Sequence, residues 1–421
     1  MTVRWRRAAR LLTRVAAALV VLLLVASLAL RLWARHRYQD ASRAFVADFG
    51  ERVEEPTLDR PQGGTWLRAA ALIVQLSPEE MGTIHSWVRT TEPLTAEEAR
   101  WARALLERER LPRELLERAA RSERIDLFLG PPERLEVERM AGLTKPNELG
   151  ALVKLLVAEE LERRAHGDFS GACESLEQLG SLARGIRKGR FFFEQMLASL
   201  PESTLLHRLH AALSAGAPLP CLDSLGTILE GLDPIDATRR ALVEEARLQL
   251  LPHRFRVLPS EAMDGASHLL SMAFFEQGNS LVRAYVLDAA RDLLTERDTT
   301  TQPIEGPRRR ADRDLAGSLR DTFRGQLQNG ELADARRRLA LASLRVRGAI
   351  QAGETERIEA WIDREPSVPL TGTRVAVRAD TGGAWLLDLP GSDPIAERFH
   401  LARERDELLR WRVLASESGA H

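Results

Sequence analysis

Apolar positions recur along most of this chain at helical spacing. Val15–Leu30 (VAAALVVLLLVASLAL) carries no charge, and its flanks extend it to Leu11–Trp33. A helix of that length spans about 34 Å, enough to cross a hydrocarbon core of about 30 Å. From about residue 40 to 295 the pattern predicts amphipathic helices. Ser77-Pro78-Glu79-Glu80 and Thr95-Ala96-Glu97-Glu98 read as capping boxes, the first with Pro at the first helical position. Pro112 and Pro131-Pro132 punctuate the segments that follow. Leu149, Leu152, Val153, Leu156, Val157 and Leu161 make one apolar face, and Phe169, Ala172, Cys173, Leu176, Leu179 and Leu182 the next. Gly167-Asp168 separates them, which predicts an αα-hairpin. Further helices are predicted near 190–215, 222–231, 235–251, 260–278 and 280–295.

The pattern lapses at 296–314, where Thr, Pro, Gly and charges predict a linker or exposed loop. Helices are expected again at Leu315–Asn329 and Leu332–Ala352. The period then changes to two. Thr373–Arg378 alternates, Asp380-Thr381-Gly382-Gly383 is a turn, and Ala384–Leu389 returns as a β-hairpin. Asp393-Pro394 starts a last predicted helix, Ile395–Leu414, rich in Arg and Glu. The expected fold is mainly α: an N-terminal transmembrane helix, an irregular α-helical ectodomain and a small C-terminal β-hairpin. The divisions are 1–37 for tail and anchor, 38–295 for the helical domain, 296–314 for the linker, 315–392 for helices plus hairpin, and 393–421 for the last helix and tail. The hairpin at 149–182 resembles a single tetratricopeptide-type unit, with Ala172 at the close-packing position. No 34-residue period accompanies it, so a regular repeat array is not expected.

Charge orients the anchor. Arg4, Arg6, Arg7, Arg10 and Arg14 precede the apolar run, and Arg31, Arg35 and Arg37 follow it. Five against three favours the N-terminus inside and the body outside the cytoplasm. A cleaved signal peptide is the alternative. Its small-x-small site, Ser27-Leu28-Ala29, lies deep within the apolar run, which favours an uncleaved anchor. The whole chain has a net charge of −1, and the first 37 residues hold eight Arg and no acid, which leaves −9 for residues 38–421. Such an acidic body lacks the basic excess of a nucleic-acid binder. Its expected partners are membrane lipid, through residues 11–33, and an unidentified protein.

Few residues suggest chemistry. Cys173 and Cys221 are the two cysteines, and outside the cytoplasm they can oxidise, closing a loop worth about 4 kcal/mol. Two unrelated buried thiols are the alternative. His207 and His210 share a helix face at i, i+3, but no third ligand stands at a metal-binding spacing, and structural roles are expected. His85 and His268 are read as packing residues. Nucleophile elbows and phosphate-binding glycine loops do not occur, so no catalytic, cofactor or metal residue is assigned. Glu79-Glu80, Glu159-Glu160 and Glu244-Glu245 are read as solvated faces, as are the runs Arg308–Arg310 and Arg336–Arg338. Phe191-Phe192-Phe193 cannot all point inward from one helix, which leaves room for one to be exposed; core or inter-helix packing is the expected role, and a partner or ligand groove is the alternative.

Several stretches resemble an uncharacterised family of bacterial, membrane-anchored, mainly helical proteins. They are Gly64–Leu72, Leu94–Glu98 followed by Leu115–Ala119, Gly167–Ala172, and the helix Ala333–Ala352 leading into Pro369–Gly372 and Gly382-Gly383. The order of helix and short hairpin near the end is loosely similar to a pseudopilin tail, though the Asp-Pro-Phe form and the Tyr residues of such tails are missing. The family brings no established activity, so the resemblance assigns no functional residue. The reading is a non-enzymatic interaction or scaffold module of the cell envelope. A component of an envelope secretion or assembly system, or a hydrolase with scattered site residues, are the alternatives. A periplasm-dependent phosphatase fused after His421 is expected to be active in cells, and a fusion active only as a cytoplasmic reporter would reverse the topology.

Overall fold

The computed structural model describes residues 3–51, 63–127, 146–250, 265–295, 315–362, 367–369, 371–380, 383–390 and 409–414. The predicted linker 296–314, with Arg308–Arg310, lies outside them, as does the side chain of His268. The chain divides into two compact units, one of residues 1–53 and 246–324, the other of 54–245 and 325–421.

In the first unit, α1 (Val3–Phe49) continues without a break from the apolar run into a polar half, past the boundary expected at residue 37. Its Ala17–Phe49 portion is long and apolar enough to cross a membrane. The leucines and valines from Val15 to Leu32 are largely exposed. Ala34, Ala41 and Phe45, at seven- and four-residue spacing, are buried instead, against α11 (Gly265–Thr295). Polar ties fix the register: Arg283 donates to the Tyr38 hydroxyl at 2.6 Å, and Arg291 meets Asp48 at 2.5 Å. Partner numbers rise together along both helices, so α1 and α11 run parallel. Two predicted helices, 260–278 and 280–295, are thus one.

The second unit begins with α2 (Gly63–Ile73), α3 (Pro78–Trp87), α4 (Ala96–Arg108) and α5 (Arg110–Ala120). Both capping boxes are formed, by Ser77 with Glu80 and by Thr95 with Glu98. The hairpin follows as α6 (Pro146–Ala165) and α7 (Phe169–Arg187), turning at Gly167 with φ +75°. Asp168 caps α7 by accepting from the Gly171 amide at 2.9 Å. Then come α8 (Phe192–Ser214), α9 (Leu222–Glu230) and α10 (Pro234–Leu248). α12 (Leu315–Ala352) is continuous where two helices were expected, and α13 (Ile358–Ile362) is a single short turn.

α6 is the hub, touching α2, α3, α4, α5, α7 and α8. Its predicted apolar face is buried, but so are Glu159, Glu160 and Glu162. This corrects the reading of Glu159-Glu160 as a solvated face, and the same holds for Glu244, which is buried as well. A helix covered on all sides has no water for its polar positions, and the carboxylates are satisfied by arginines. Arg208 of α8 and Arg164 hold Glu160 at 2.8 and 2.6 Å, and Arg103 holds Glu162 at 2.8 Å. Burial alone would raise the Glu160 carboxyl, but Arg208 and Arg164 outweigh it and keep it below the usual carboxylate range. Arg208 also donates to the Trp87, Val88 and Thr90 carbonyls, at 3.0, 3.3 and 2.8 Å, closing the C-terminal end of α3.

At the C-terminus the expected hairpin is a three-stranded antiparallel sheet, β1 (Ala376–Ala379), β2 (Trp385–Asp388) and β3 (Arg410–Val413), in that order. β3 overturns the end of the predicted last helix. Arg410-Trp411-Arg412-Val413 alternates, and Trp411 and Val413 are buried on one side. Leu387 pairs with Trp411, and the Leu414 amide donates to the Leu213 carbonyl of α8 at 3.1 Å. His85 is also corrected: it lies on the exposed side of α3, one residue past the buried Ile84.

The ion pairs divide sharply by burial. Arg208→Met strands Glu160 beside Arg164 alone and is expected to cost about 3–5 kcal/mol in urea unfolding. Arg110→Met, which breaks an exposed pair with Glu114, is expected to cost less than about 1 kcal/mol.

Candidate functional site

A groove of about 1560 Å³ lies in the second unit, between α9 and the last turns of α12. Its first wall starts where α8 ends. Gly216 adopts φ +65°, and the Gly216 and Ala217 amides donate back to the Leu213 and Ala212 carbonyls at 3.2 and 2.9 Å. This Schellman closure aims the chain away from α8. Pro218-Leu219-Pro220 follows as a stiff segment lining the groove. Cys221, the residue before α9, is bonded to Cys173 of α7, with the two Cα atoms 5.8 Å apart. The disulfide therefore fastens this wall to the central hairpin.

α9 divides its faces cleanly. Leu225, Ile228 and Leu229 are buried. Ile228 reaches so close to Gly180 that a Cβ there would meet it at 2.6 Å, so α7 and α9 pack nearly backbone to side chain. Leu222, Asp223, Gly226, Thr227 and Glu230 face the groove at helical spacing. The facing wall repeats the spacing on α12, with Leu341, Leu344, Arg345, Gly348, Ala349 and Ala352. Both walls are lowered by small residues. At Gly226 and Gly348 an added Cβ would meet nothing within 4 Å. Glu230 and Arg345 join the walls at 2.8 Å, and Arg337 donates to the Leu229 carbonyl at 3.2 Å. Buried Arg347 donates to the Gly216 and Ala217 carbonyls at 3.1 and 3.0 Å, tying α12 to the proline wall.

The lining includes no His, Cys or Lys. It presents apolar side chains with Asp223, Glu230, Glu354, Arg345 and Arg357 at its margins. A second hollow of about 510 Å³ lies over α4, α6 and the start of α7. Arg163 there is engaged by Glu159 at 2.7 Å and Glu174 at 2.8 Å, and Arg113 also bonds Glu159.

The residues singled out from sequence are dispersed. Phe191 is fully buried at the mouth of α8, and Phe192 and Phe193 are half-buried. His207 is buried, whereas His210 lies half-buried against Trp411 with ring centroids 5.4 Å apart. Burial pushes the His210 imidazole down to about 4, which leaves it neutral. Among the described residues no three His, Cys, Asp or Glu side chains are placed to hold a metal ion. Arg337 and Arg338 are not solvated charge but pair with buried Asp334, at 2.6 and 2.7 Å.

No family model, no curated protein and no solved structure matches this chain. The groove is read from its own residues alone. Replacing Cys173 and Cys221 by Ser is expected to lower the unfolding free energy by about 2–4 kcal/mol. An unchanged urea midpoint in the double variant would show that the bridge adds nothing to the wall.

Proposed function

We propose that this chain is a membrane-anchored interaction module of the cell envelope, with its helical body outside the cytoplasm and a protein segment held in the α9–α12 groove. The groove is the observation that carries the reading. Its volume of about 1560 Å³ exceeds the range of about 300–1,000 Å³ typical of small-molecule pockets. Its two walls present apolar and small residues with charges at the margins, the composition of a surface that receives a helix or an extended peptide. Gly226 and Gly348 cost helix stability of roughly 0.5–1 kcal/mol each relative to Ala. Nothing packs against either position to require the missing side chain, and space for an incoming backbone accounts for both.

The location is supported by two further features. The Arg excess before the apolar half of α1 favours an inside N-terminus. The Cys173–Cys221 bond belongs to an oxidising compartment. An interaction role also suits a site whose lining pairs no nucleophile with a base.

The test uses the full-length chain in its native membranes. A photo-crosslinking amino acid at Thr227 or Ala349 is expected to capture a discrete protein adduct. Gly348→Trp, which fills open space rather than core, is expected to abolish the adduct while leaving the thermal midpoint unchanged. Crosslinks that persist in Gly348→Trp, or that never form, would remove the groove from the proposed function.

A further inference from the structure

Two carboxylic acids without access to water meet at the corner between α7 and α8. Glu194, in the first turn of α8, is fully buried, and Asp126 is 1% exposed. Three backbone amides donate to the Glu194 carboxyl. It accepts from the Leu127 amide at 2.7 Å, from the Arg190 amide at 2.5 Å and from the Phe191 amide at 3.0 Å. One carboxyl thus joins the turn after α7, the start of α8, and the 124–127 segment that arrives from α5. Gly189 leaves room for it, since a Cβ there would come within 2.7 Å of the carboxyl. The same segment is docked by the Ile125 amide on the Gly185 carbonyl at 3.0 Å, and Ile125 and Leu127 are both fully buried.

The charged groups around this carboxyl come from each neighbouring element. The 124–127 segment brings Asp126, and Arg124 donates to it at 3.0 Å. The turn brings Arg190, whose guanidinium lies 4.0 Å from Asp126. α7 brings Arg187, which is bound to Glu202 at 2.6 Å. Arg124 and Arg187 are engaged with other acids, Arg190 acts on both Asp126 and Glu194, and Asp126 adds a like charge beside Glu194.

We propose that Glu194 is a proton-operated latch. Neutral, it fastens residues 124–127 to the α7–α8 corner; charged beside Asp126, it lets that segment open more often. A neutral carboxyl keeps lone pairs for the amides it holds, and it escapes the cost of burying a second negative charge. Burial and the nearby Asp126 push the Glu194 carboxyl up to about 7, against the opposing pull of the Leu127 and Phe191 amides and of Arg190. The sign follows from linkage. A carboxyl that is harder to ionise when closed than when open strengthens the closed form in acid, and that advantage is lost as pH rises toward 7. The latch tightens in acid and loosens toward neutrality, independently of the groove.

Hydrogen exchange of the full-length chain in detergent, from pH 4.5 to 8.5, tests this. After correction for intrinsic exchange, the opening constant read from peptides covering 124–127 and 189–194 is expected to rise. The rise is about tenfold per pH unit at most, on the order of a hundredfold in all, and levels off above about pH 7. Peptides from α9 serve as the control. Glu194→Gln is expected to flatten the profile. Asp126→Asn is expected to move its upper end to lower pH, and it decides the matter alone should Glu194→Gln not fold. A flat wild-type profile, a slope retained in Glu194→Gln, or a profile unmoved in Asp126→Asn would each overturn the latch.

Discussion

The helical body depends on a charge that has nowhere to go. Glu160 sits on α6, which six neighbouring helices cover, and its carboxylate is stable there only because Arg208 arrives from α8 and Arg164 from one turn along. Taking an ion out of water costs several kcal/mol even after relaxation, and only a close, hydrogen-bonded partner offsets it. The same guanidinium spends its remaining donors on the carbonyls that end α3. A single cation therefore sets the relative positions of α3, α6 and α8. An apolar residue could fill the space but could not specify which three helices meet. Arg187 with Glu202, also buried, repeats the device between α7 and α8.

The elements whose rules are local were legible in the sequence. The two capping boxes need only four consecutive residues, and the hairpin needs only a face, a Gly and another face. The buried acids were not legible, because helical periodicity counts apolar positions and is blind to a polar position that another helix will cover. Glu159 and Glu160 look the same as a solvated pair until Arg113 and Arg208 are seen to reach them from 46 and 48 residues away. A signal did exist: Arg113 stands three residues before buried Leu116 in α5 and Arg208 three after buried Leu205 in α8, each on a face where a purely packed helix would have none.

β3 was missed for a related reason. Arg410-Trp411-Arg412-Val413 follows a run rich in Arg and Glu that favours helix, and four residues of alternation are too few to outweigh it. Tertiary pairing decides: Trp411 finds Leu387 opposite it and α8 beneath. The groove was illegible for a different cause. Its walls come from residues near 169, 218–230 and 341–360, and each alone is an unremarkable helix or turn. The nearest clue was a glycine inside each of two helices, which costs stability and so calls for a reason.

That assembly from distant stretches couples occupancy to folding. The groove exists only while the last turns of α12 are docked on the proline wall and on α9, held there by Arg347 and by the Glu230–Arg345 bridge. Anything bound between the walls must hold the docked form and not the undocked one. By mass action it adds RT ln(1 + [L]/Kd) to the stability of that docking, about 2.7 kcal/mol at a hundredfold excess over Kd. The body would then report its own occupancy as resistance to heat and to proteolysis, without any change of shape.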